Sequence, residues 1–263
     1  MSIERSVVIP GLALVLSLPT AASAEPSVEL HVVSDSYESC FFDLHPELTA
    51  DEFKTFAAEV GQPLRSRQMA SARTLGTGGV AVSMGYSYFL IDDTKGAWNN
   101  TMSHPDADHY LGNLQFPFLE VRAGITKKID AEVYGSLNWM SNYGFFGMAS
   151  KINLLDEADQ MPVSVSVRPS AAALLGPSEM QAFNISGDLA VSRNFHGLSP
   201  FAGLTLSSTL AVNSSPDTNV GNQVAFRPVG FAGLEYRWKF INAAAQAEAS
   251  ALTAFALRVG GTF

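Results

Sequence analysis

Apolar and polar residues alternate with a period of two from residue 79 to the end of the chain, as in strands with one apolar face. In one such stretch Val133 and Leu137 fall on one side, and Glu132 falls on the other. The predicted fold class is therefore all-β. The alternation predicts about ten strands, at 79–91, 115–126, 130–140, 145–155, 162–175, 181–194, 199–211, 228–239, 240–249 and 252–263.

Most of these strands are long enough to cross a bilayer, since a tilted strand needs roughly 9–11 residues for that. Short turns at one end and long loops at the other are typical of outer-membrane barrels. We therefore predict an antiparallel transmembrane β-barrel over 79–263, with the short turns and both termini in the periplasm; eight or twelve strands and a soluble β-sandwich are the alternatives. The short connections lie at 127–130, 194–200 and 239–242, and the long ones at 92–114 and 213–227.

The first residues have the pattern of a secretory signal peptide. An apolar run follows Arg5, and small residues precede a cleavage site after Ala24. We predict that 1–24 is removed; an uncleaved membrane anchor is the alternative. The region 25–78 then forms a periplasmic N-terminal segment.

One helix is predicted in this N-terminal segment, over 49–60. Thr49 and Glu52 have the spacing of a capping box, and Gly61 and Pro63 are expected to end the helix. The helix either packs at the end of the barrel or serves as a plug or periplasmic interaction segment.

Composition agrees with a chain whose surface faces lipid. Charged residues make up 16% of the 263 residues and hydrophobic residues 47%, whereas soluble domains have roughly 25% charged residues. The net charge of −9 is spread along the chain, which argues against nucleic acid as a partner. Cys40 is the single cysteine, so the chain has no internal disulfide.

Charged residues fall on the face of the strands that would line the lumen. Acids and bases are balanced in number, which predicts ion pairs across a narrow lumen, because a wide selective pore more often has clusters of one sign. Ten strands are close to the number whose interior is filled by side chains. These charged side chains either form a packed network whose members pair with one another, or line a thin pathway that is gated by ion pairs. The lumen-lining residues are Glu120, Arg122, Glu132, Lys151, Arg168, Asp188, Glu235, Arg237, Glu248 and Arg258.

The first long loop contains the sequence HPDADHY, in which residue types that bind metals lie close together. These residues form either a divalent-cation site or catalytic rim, or a solvated polar loop. A ten-stranded barrel with acids and a histidine at its outer rim resembles the omptin proteases. That family draws its acids and histidine from opposite sides of the rim, so the single loop here argues against a protease. We predict no enzyme activity and no cofactor. The candidate residues are His104, Asp106, Asp108 and His109.

Aromatic residues lie near the ends of the predicted strands, where amphipathic rings favour the headgroup zone of a membrane. The outer rim would contain Tyr86, Tyr88, Phe116, Phe118, Trp139, Tyr143, Phe145, Phe146 and Phe183, and the periplasmic rim Phe195, Phe201, Tyr236, Trp238, Phe240 and Phe263.

The last ten residues, AFALRVGGTF, resemble the C-terminal signature strand of bacterial outer-membrane β-barrel proteins, in which apolar residues at alternate positions precede a terminal Phe. The matching positions are Phe255, Leu257, Val259, Gly261 and Phe263. The resemblance implies that the barrel assembly machinery reads this strand and that the barrel lies in outer-membrane lipid. The stretch LGTGGVAVS is also similar to the first strand of fatty-acid-transporter-type barrels, which carry an N-terminal hatch and have more strands.

Together these patterns predict a bacterial outer-membrane barrel that is a narrow channel or carrier for small or hydrophobic solutes. A structural or adhesive surface barrel, whose long loops bind partners, is the first alternative. A hydrolase with its site at the rim is the second.

Overall fold

The computed structural model describes residues 42–92, 94–101, 113–137 and 143–263. Over these ranges the chain forms a closed barrel of ten antiparallel strands, which confirms the predicted fold class and strand number. The first strand pairs with the last, so the sheet has no free edge. The strands are β1 (Val80–Leu90), β2 (Asn113–Gly124), β3 (Ile129–Leu137), β4 (Gly144–Leu155), β5 (Ser164–Leu175), β6 (Met180–Ser192), β7 (Leu198–Asn213), β8 (Gln223–Trp238), β9 (Ile241–Ala249) and β10 (Thr253–Thr262).

The two faces of the barrel wall differ as the alternation predicts. Along β6 exposed and buried residues alternate without a break. Ile185 on the outer face is 69% exposed, whereas its neighbour Asn184 on the inner face is 1% exposed. The barrel therefore has an apolar outer surface and a largely polar interior. No helix among the described residues is long and apolar enough to span a bilayer.

The largest boundary error concerns β8, which begins five residues before the predicted 228. Pro228, the first residue of the predicted strand, lies within β8 and is paired with Leu206 of β7. In an antiparallel sheet each residue hydrogen-bonds to only one of the two neighbouring strands. A single proline therefore removes one hydrogen bond to one neighbour, and the pairing on both sides can continue. The alternation before it is clear, since Val224 and Phe226 are 60% and 62% exposed on the outer face.

The predicted N-terminal helix exists as α1 (Ala50–Leu64), and its capping box is present. The backbone N–H of Thr49 donates to Glu52 at 2.9 Å, and the N–H of Glu52 donates to the Thr49 hydroxyl at 3.3 Å. The prediction that Gly61 and Pro63 end the helix is wrong, because it continues to Leu64. A side chain at Gly61 would collide with Thr209 of β7, so the glycine lets the helix lie against the wall.

Helix α1 lies inside the barrel, at the end where the long connections lie. The backbone N–H of Leu252, between β9 and β10, donates to Gln62 at 3.1 Å. The N–H of Leu44 donates to Glu179, between β5 and β6, at 2.7 Å. Of the two interpretations, packing at the barrel end or a plug, the contacts of α1 and the residues after it match the plug.

The chain then passes through the lumen to the end with the short turns, where β1 begins. At that end the Thr74 hydroxyl donates to the carbonyl of Lys127 at 2.7 Å, and Arg73 pairs with Asp156 at 3.3 Å. An even number of strands places the start of β1 and the end of β10 together, but the passage through the lumen adds one more crossing. Phe42 and Phe263 therefore lie at opposite ends of the barrel, so the described part of the segment 25–78 does not lie wholly at the short-turn end, whereas the predicted position of the N-terminus concerns residues outside the described ranges.

Several aromatic residues predicted for the rims lie inside the barrel instead. Phe116, Tyr143, Phe145 and Phe201 are 2–3% exposed. Phe116 is on the same face of β2 as the buried Glu120 and packs edge-on against Tyr143 over α1. The burial of Phe116, Tyr143 and Phe145 follows from the helix, which supplies an apolar surface within the lumen, whereas Phe201 packs against Phe231 in a separate cluster of wall residues. Trp139 lies outside the described residues.

Candidate functional site

The lumen is filled by the chain's own N-terminal region, which we call the plug: α1 and the residues 65–75 that follow it. Residues 65–75 are not part of the sheet, so their backbone groups need partners other than a neighbouring strand. Polar side chains of the wall provide them. The N–H of Ser71 donates to Glu235 at 2.9 Å, and its carbonyl accepts from Lys151 at 2.9 Å.

The next residue of the plug is held in the same way. The N–H of Ala72 donates to the Ser192 hydroxyl at 2.8 Å, and its carbonyl accepts from the Asn153 amide at 3.1 Å. The N–H of Leu75 donates to the Asp130 carboxylate at 3.0 Å. The charged and polar residues of the wall therefore bind the peptide backbone of the plug as well as each other.

Charged side chains join the wall and the plug at successive depths, by an ion pair near the long connections and by a hydrogen bond in the middle. Near the long connections, Arg65 lies 2.6 Å from Glu248. In the middle, Arg168 bonds Asp188 at 2.6 Å and lies 3.4 Å from Glu132, and it also donates to the carbonyl of Arg67 at 2.8 Å.

A second wall cluster lies on the opposite side of the lumen. Arg258 is 3.3 Å from Glu120 and 3.2 Å from Glu235, and it donates to the Asn242 amide oxygen at 3.0 Å. Closer to the short turns, Arg122 lies 3.8 Å from Asp130.

The structure places nine of the ten predicted lumen residues at 5% exposure or less, on the inner face of their strands. Arg237 differs, because its side chain is 30% exposed at the short-turn end, where it pairs with Glu235 at 3.1 Å. The nine are Glu120, Arg122, Glu132, Lys151, Arg168, Asp188, Glu235, Glu248 and Arg258.

Sequence reasoning missed Asp130, Arg65 and Arg67, which are all buried in the lumen. Asp130 was detectable, because it has the same strand parity as Glu132. The two arginines lie in a segment without strand or helix periodicity, and no local signal places such a segment inside a barrel.

An apolar core covers the plug at the long-connection end. Phe56 packs edge-on against Trp98 with ring centroids 4.9 Å apart, and Phe42 packs against Tyr143 at 4.5 Å. Trp98 lies on the short helix α2 (Gly96–Asn99) in the first long connection. The core joins the plug to the connections between strands, and it closes this end of the barrel over the described residues.

One carboxylate lies in this core. Glu59 on α1 is 5% exposed and accepts a hydrogen bond from the indole N–H of Trp98. Burial raises the pKa of the Glu59 carboxyl above its ordinary value, although Trp98 and Lys95 act in the opposite direction. The charged form of Glu59 is therefore disfavoured in the folded protein.

Replacing Glu59 with glutamine is expected to stabilise the protein at high pH only. Folding raises the pKa of this carboxyl above the ordinary value of 4.5. As the pH rises through the range between these two pKa values, the unfolded state loses its proton more readily than the folded state, so the free energy of unfolding falls. Glu59→Gln removes that cost and keeps an acceptor for Trp98. The melting temperature of the variant should exceed that of the wild type at pH 8 and equal it at pH 4. Glu47→Gln, at an exposed position, is the control, and an equal shift at both pH values would contradict the argument.

The four candidate residues of the first long loop, His104, Asp106, Asp108 and His109, lie outside the described residues. Within the described ranges no group of three histidine, cysteine or acidic side chains is arranged to hold a metal ion. The idea of a metal or catalytic site at the rim stays a prediction.

No family model and no curated protein sequence matches the chain. Solved barrel structures are similar to it at low identity. The N-terminal β-barrel domain of OprF from Pseudomonas aeruginosa is 14% identical over 72% of this chain and 99% of its own, with a TM-score of 0.33. Ail of Yersinia pestis, in complex with the heparin analogue sucrose octasulfate, is 12% identical over 71% and 99%, with a TM-score of 0.33. LpxR from Salmonella typhimurium is 9% identical over 70% and 99%, with a TM-score of 0.35.

The C-terminal strand carries the residues that resemble an assembly signal. Phe255, Leu257, Val259 and Phe263 are 49–76% exposed on the outer side of the barrel, and Gly261 is on the same face. The strand closes the barrel by pairing with β1. Recognition of these residues by assembly machinery stays a prediction.

Proposed function

We propose that the chain is a non-enzymatic barrel of the bacterial outer membrane, and that it is a narrow channel closed at rest by its own plug. The apolar outer face supports a location in lipid, since about every second wall residue offers hydrocarbon to its surroundings. The exposed residues of β10 are the proposed signal for the barrel assembly machinery.

The observation that carries the channel is the polar attachment of residues 65–75 to the wall. Hydrogen bonds and ion pairs can be exchanged for contacts with water, whereas an apolar plug would leave a dry lumen. The wall behind the plug has many short polar side chains, so it can be wetted once the plug moves. They include Ser83, Ser87, Ser166, Ser170, Asn184, Ser186, Ser207, Thr209, Asn242 and Gln246.

The same observation limits the solutes. The lumen accommodates one non-helical peptide segment with its side chains, so a displaced plug would leave a path of roughly that width. A polar wall favours small polar solutes over the hydrophobic ones that the sequence also allowed. Passage requires that the plug leave at least part of the lumen.

A reversible cross-link between plug and wall tests this proposal. Ala72→Cys and Ser192→Cys replace two residues in direct contact, with Cys40→Ser to remove the native thiol. We expect single-channel conductance of the reduced protein in planar bilayers and complete loss after oxidation, with recovery on reduction. The matched control carries Ala72→Cys alone. Equal conductance of the oxidised and reduced forms, or silence of every form including the wild type, would overturn the channel.

The proposed orientation makes a separate prediction about sidedness. Lys54 is exposed on α1 at the long-connection end, and Lys128 is exposed in the turn between β2 and β3. If the short turns face the periplasm, a membrane-impermeant maleimide should label Lys54→Cys on intact cells and Lys128→Cys only after lysis, both in a Cys40→Ser background. The reverse labelling pattern would invert the barrel in the membrane.

The covered end of the barrel favours a second candidate, a structural or adhesive surface barrel. The core around Phe56 and Trp98 packs the plug and the described part of the first long connection into one surface. Such a surface suits contact with partners outside the cell. A barrel that inserts, is stable and never conducts would favour this function over the channel.

A further inference from the structure

Glu248 differs from the other buried carboxylates of the wall in the source of its positive partners. Among the described residues, its cationic partners within 4 Å both belong to the plug: Arg65 at 2.6 Å and Arg67 at 3.5 Å. Every other buried wall carboxylate has a wall arginine within that distance. Those pairs are Glu120–Arg258, Asp130–Arg122, Glu132–Arg168, Asp188–Arg168 and Glu235–Arg258.

The surroundings of Glu248 are built to hold a planar cation. Its side chain is 1% exposed. One oxygen accepts from the Gln246 amide at 2.7 Å and the other faces the Arg65 guanidinium and the Gln62 amide, the latter at 3.4 Å. The hydroxyl of Thr205 accepts from the same guanidinium at 3.4 Å.

Displacement of the plug would leave this carboxylate without a counter-ion in a confined lumen. Glu248 would then carry a negative charge on the wetted wall with no cation beside it. The other wall carboxylates would keep their arginines, so the unneutralised charge is concentrated at Glu248. Glu248 is the next-to-last residue of β9, at the long-connection end, where an entering solute would meet it first.

We infer that Glu248, with Gln246 and Thr205, forms a binding site for small guanidinium or ammonium compounds, and that Arg65 occupies it as a tethered ligand. A soluble cation that binds there stabilises the displaced plug and so favours opening. The inference deepens the proposed channel and rests on it for the opening step, whereas binding itself can be measured in a closed barrel.

Chemical rescue tests the binding site without any need for conductance. Arg65→Ala removes the tethered guanidinium, and we expect its melting temperature to fall and then to rise by several degrees with millimolar methylguanidinium. Methylguanidinium should not raise the melting temperature of the double variant Arg65→Ala with Glu248→Gln. It should also leave the melting temperature of the wild type unchanged, and that of Arg193→Ala, in which an exposed arginine is removed. Sodium chloride at equal ionic strength controls for screening. An equal rise in the double variant, or no rise in Arg65→Ala, would overturn the site.

Ion selectivity in planar bilayers provides the second measurement, and it remains usable if Arg65→Ala folds poorly, since the neutral and bulkier Arg65→Gln can replace it. Under a potassium chloride gradient, the single Arg65 variant should prefer cations several-fold over anions. Adding Glu248→Gln should remove most of this preference. An unchanged preference contradicts a role for Glu248 in conduction. Rescue of the melting temperature in a barrel that never conducts would refute the channel and leave the cation site standing.

Discussion

Ile185→Arg is expected to prevent insertion of the barrel into lipid. Ile185 lies near the middle of β6 and is 69% exposed on the outer face. Arginine at the midplane of a membrane barrel costs about 2–4 kcal/mol. The folded fraction in phospholipid vesicles, measured by the gel mobility of unheated samples, should fall steeply for this variant.

Two control variants separate the effect of depth from that of substitution. Ile185→Leu keeps an apolar side chain, and Asp217→Arg places arginine in the connection between β7 and β8, at an exposed position. Both should insert like the wild type. Normal insertion of Ile185→Arg would mean that this face does not contact acyl chains, and the proposed membrane location would fail with it.

Arg168→Met is expected to cost about 3–5 kcal/mol of the free energy of unfolding, because it leaves buried carboxylates without their partner. Arg168 is 1% exposed. It bonds Asp188 twice, at 2.6 and 2.9 Å, and neighbours Glu132. It also donates to the plug at the carbonyl of Arg67. Unfolding by denaturant in detergent micelles measures the loss.

The loss should come from the unpaired charges and not from the missing side chain. Adding Asp188→Asn to Arg168→Met removes one unpaired carboxylate and should recover part of the stability. Arg193→Met, which removes an exposed arginine, should have little effect. If the double variant is no more stable than Arg168→Met, the ion pair is not the cause.

The two experiments probe opposite faces of one wall. The Ile185 variants test whether the outer face contacts the acyl chains of a membrane. The Arg168 variants test the network of ion pairs and hydrogen bonds by which the inner face binds the plug. If the inner network is needed for stability, displacement of the plug is costly, and a compensating cation at Glu248 becomes more important for opening.

Local patterns in the sequence determined much of this fold. The period of two identified all ten strands, because each strand has an outer and an inner face along its length and the outer face is largely apolar. The capping box of Thr49 and Glu52 located the start of α1, because its hydrogen bonds join residues three positions apart. The alternation of inward and outward side chains along a strand was enough to place Arg168 and Glu248 on the inner face.

The tertiary structure decided what fills the barrel and which charges meet. Arg65 reaches Glu248, and Ser71 reaches Glu235, across more than 160 positions of sequence. No periodicity marks residues 65–75, since they contact wall residues on all sides instead of one face of a sheet. Parity tells which side chains point inward, but the closure of the sheet decides how much space they enclose. Only the closed barrel shows that this space holds the chain's own N-terminal region.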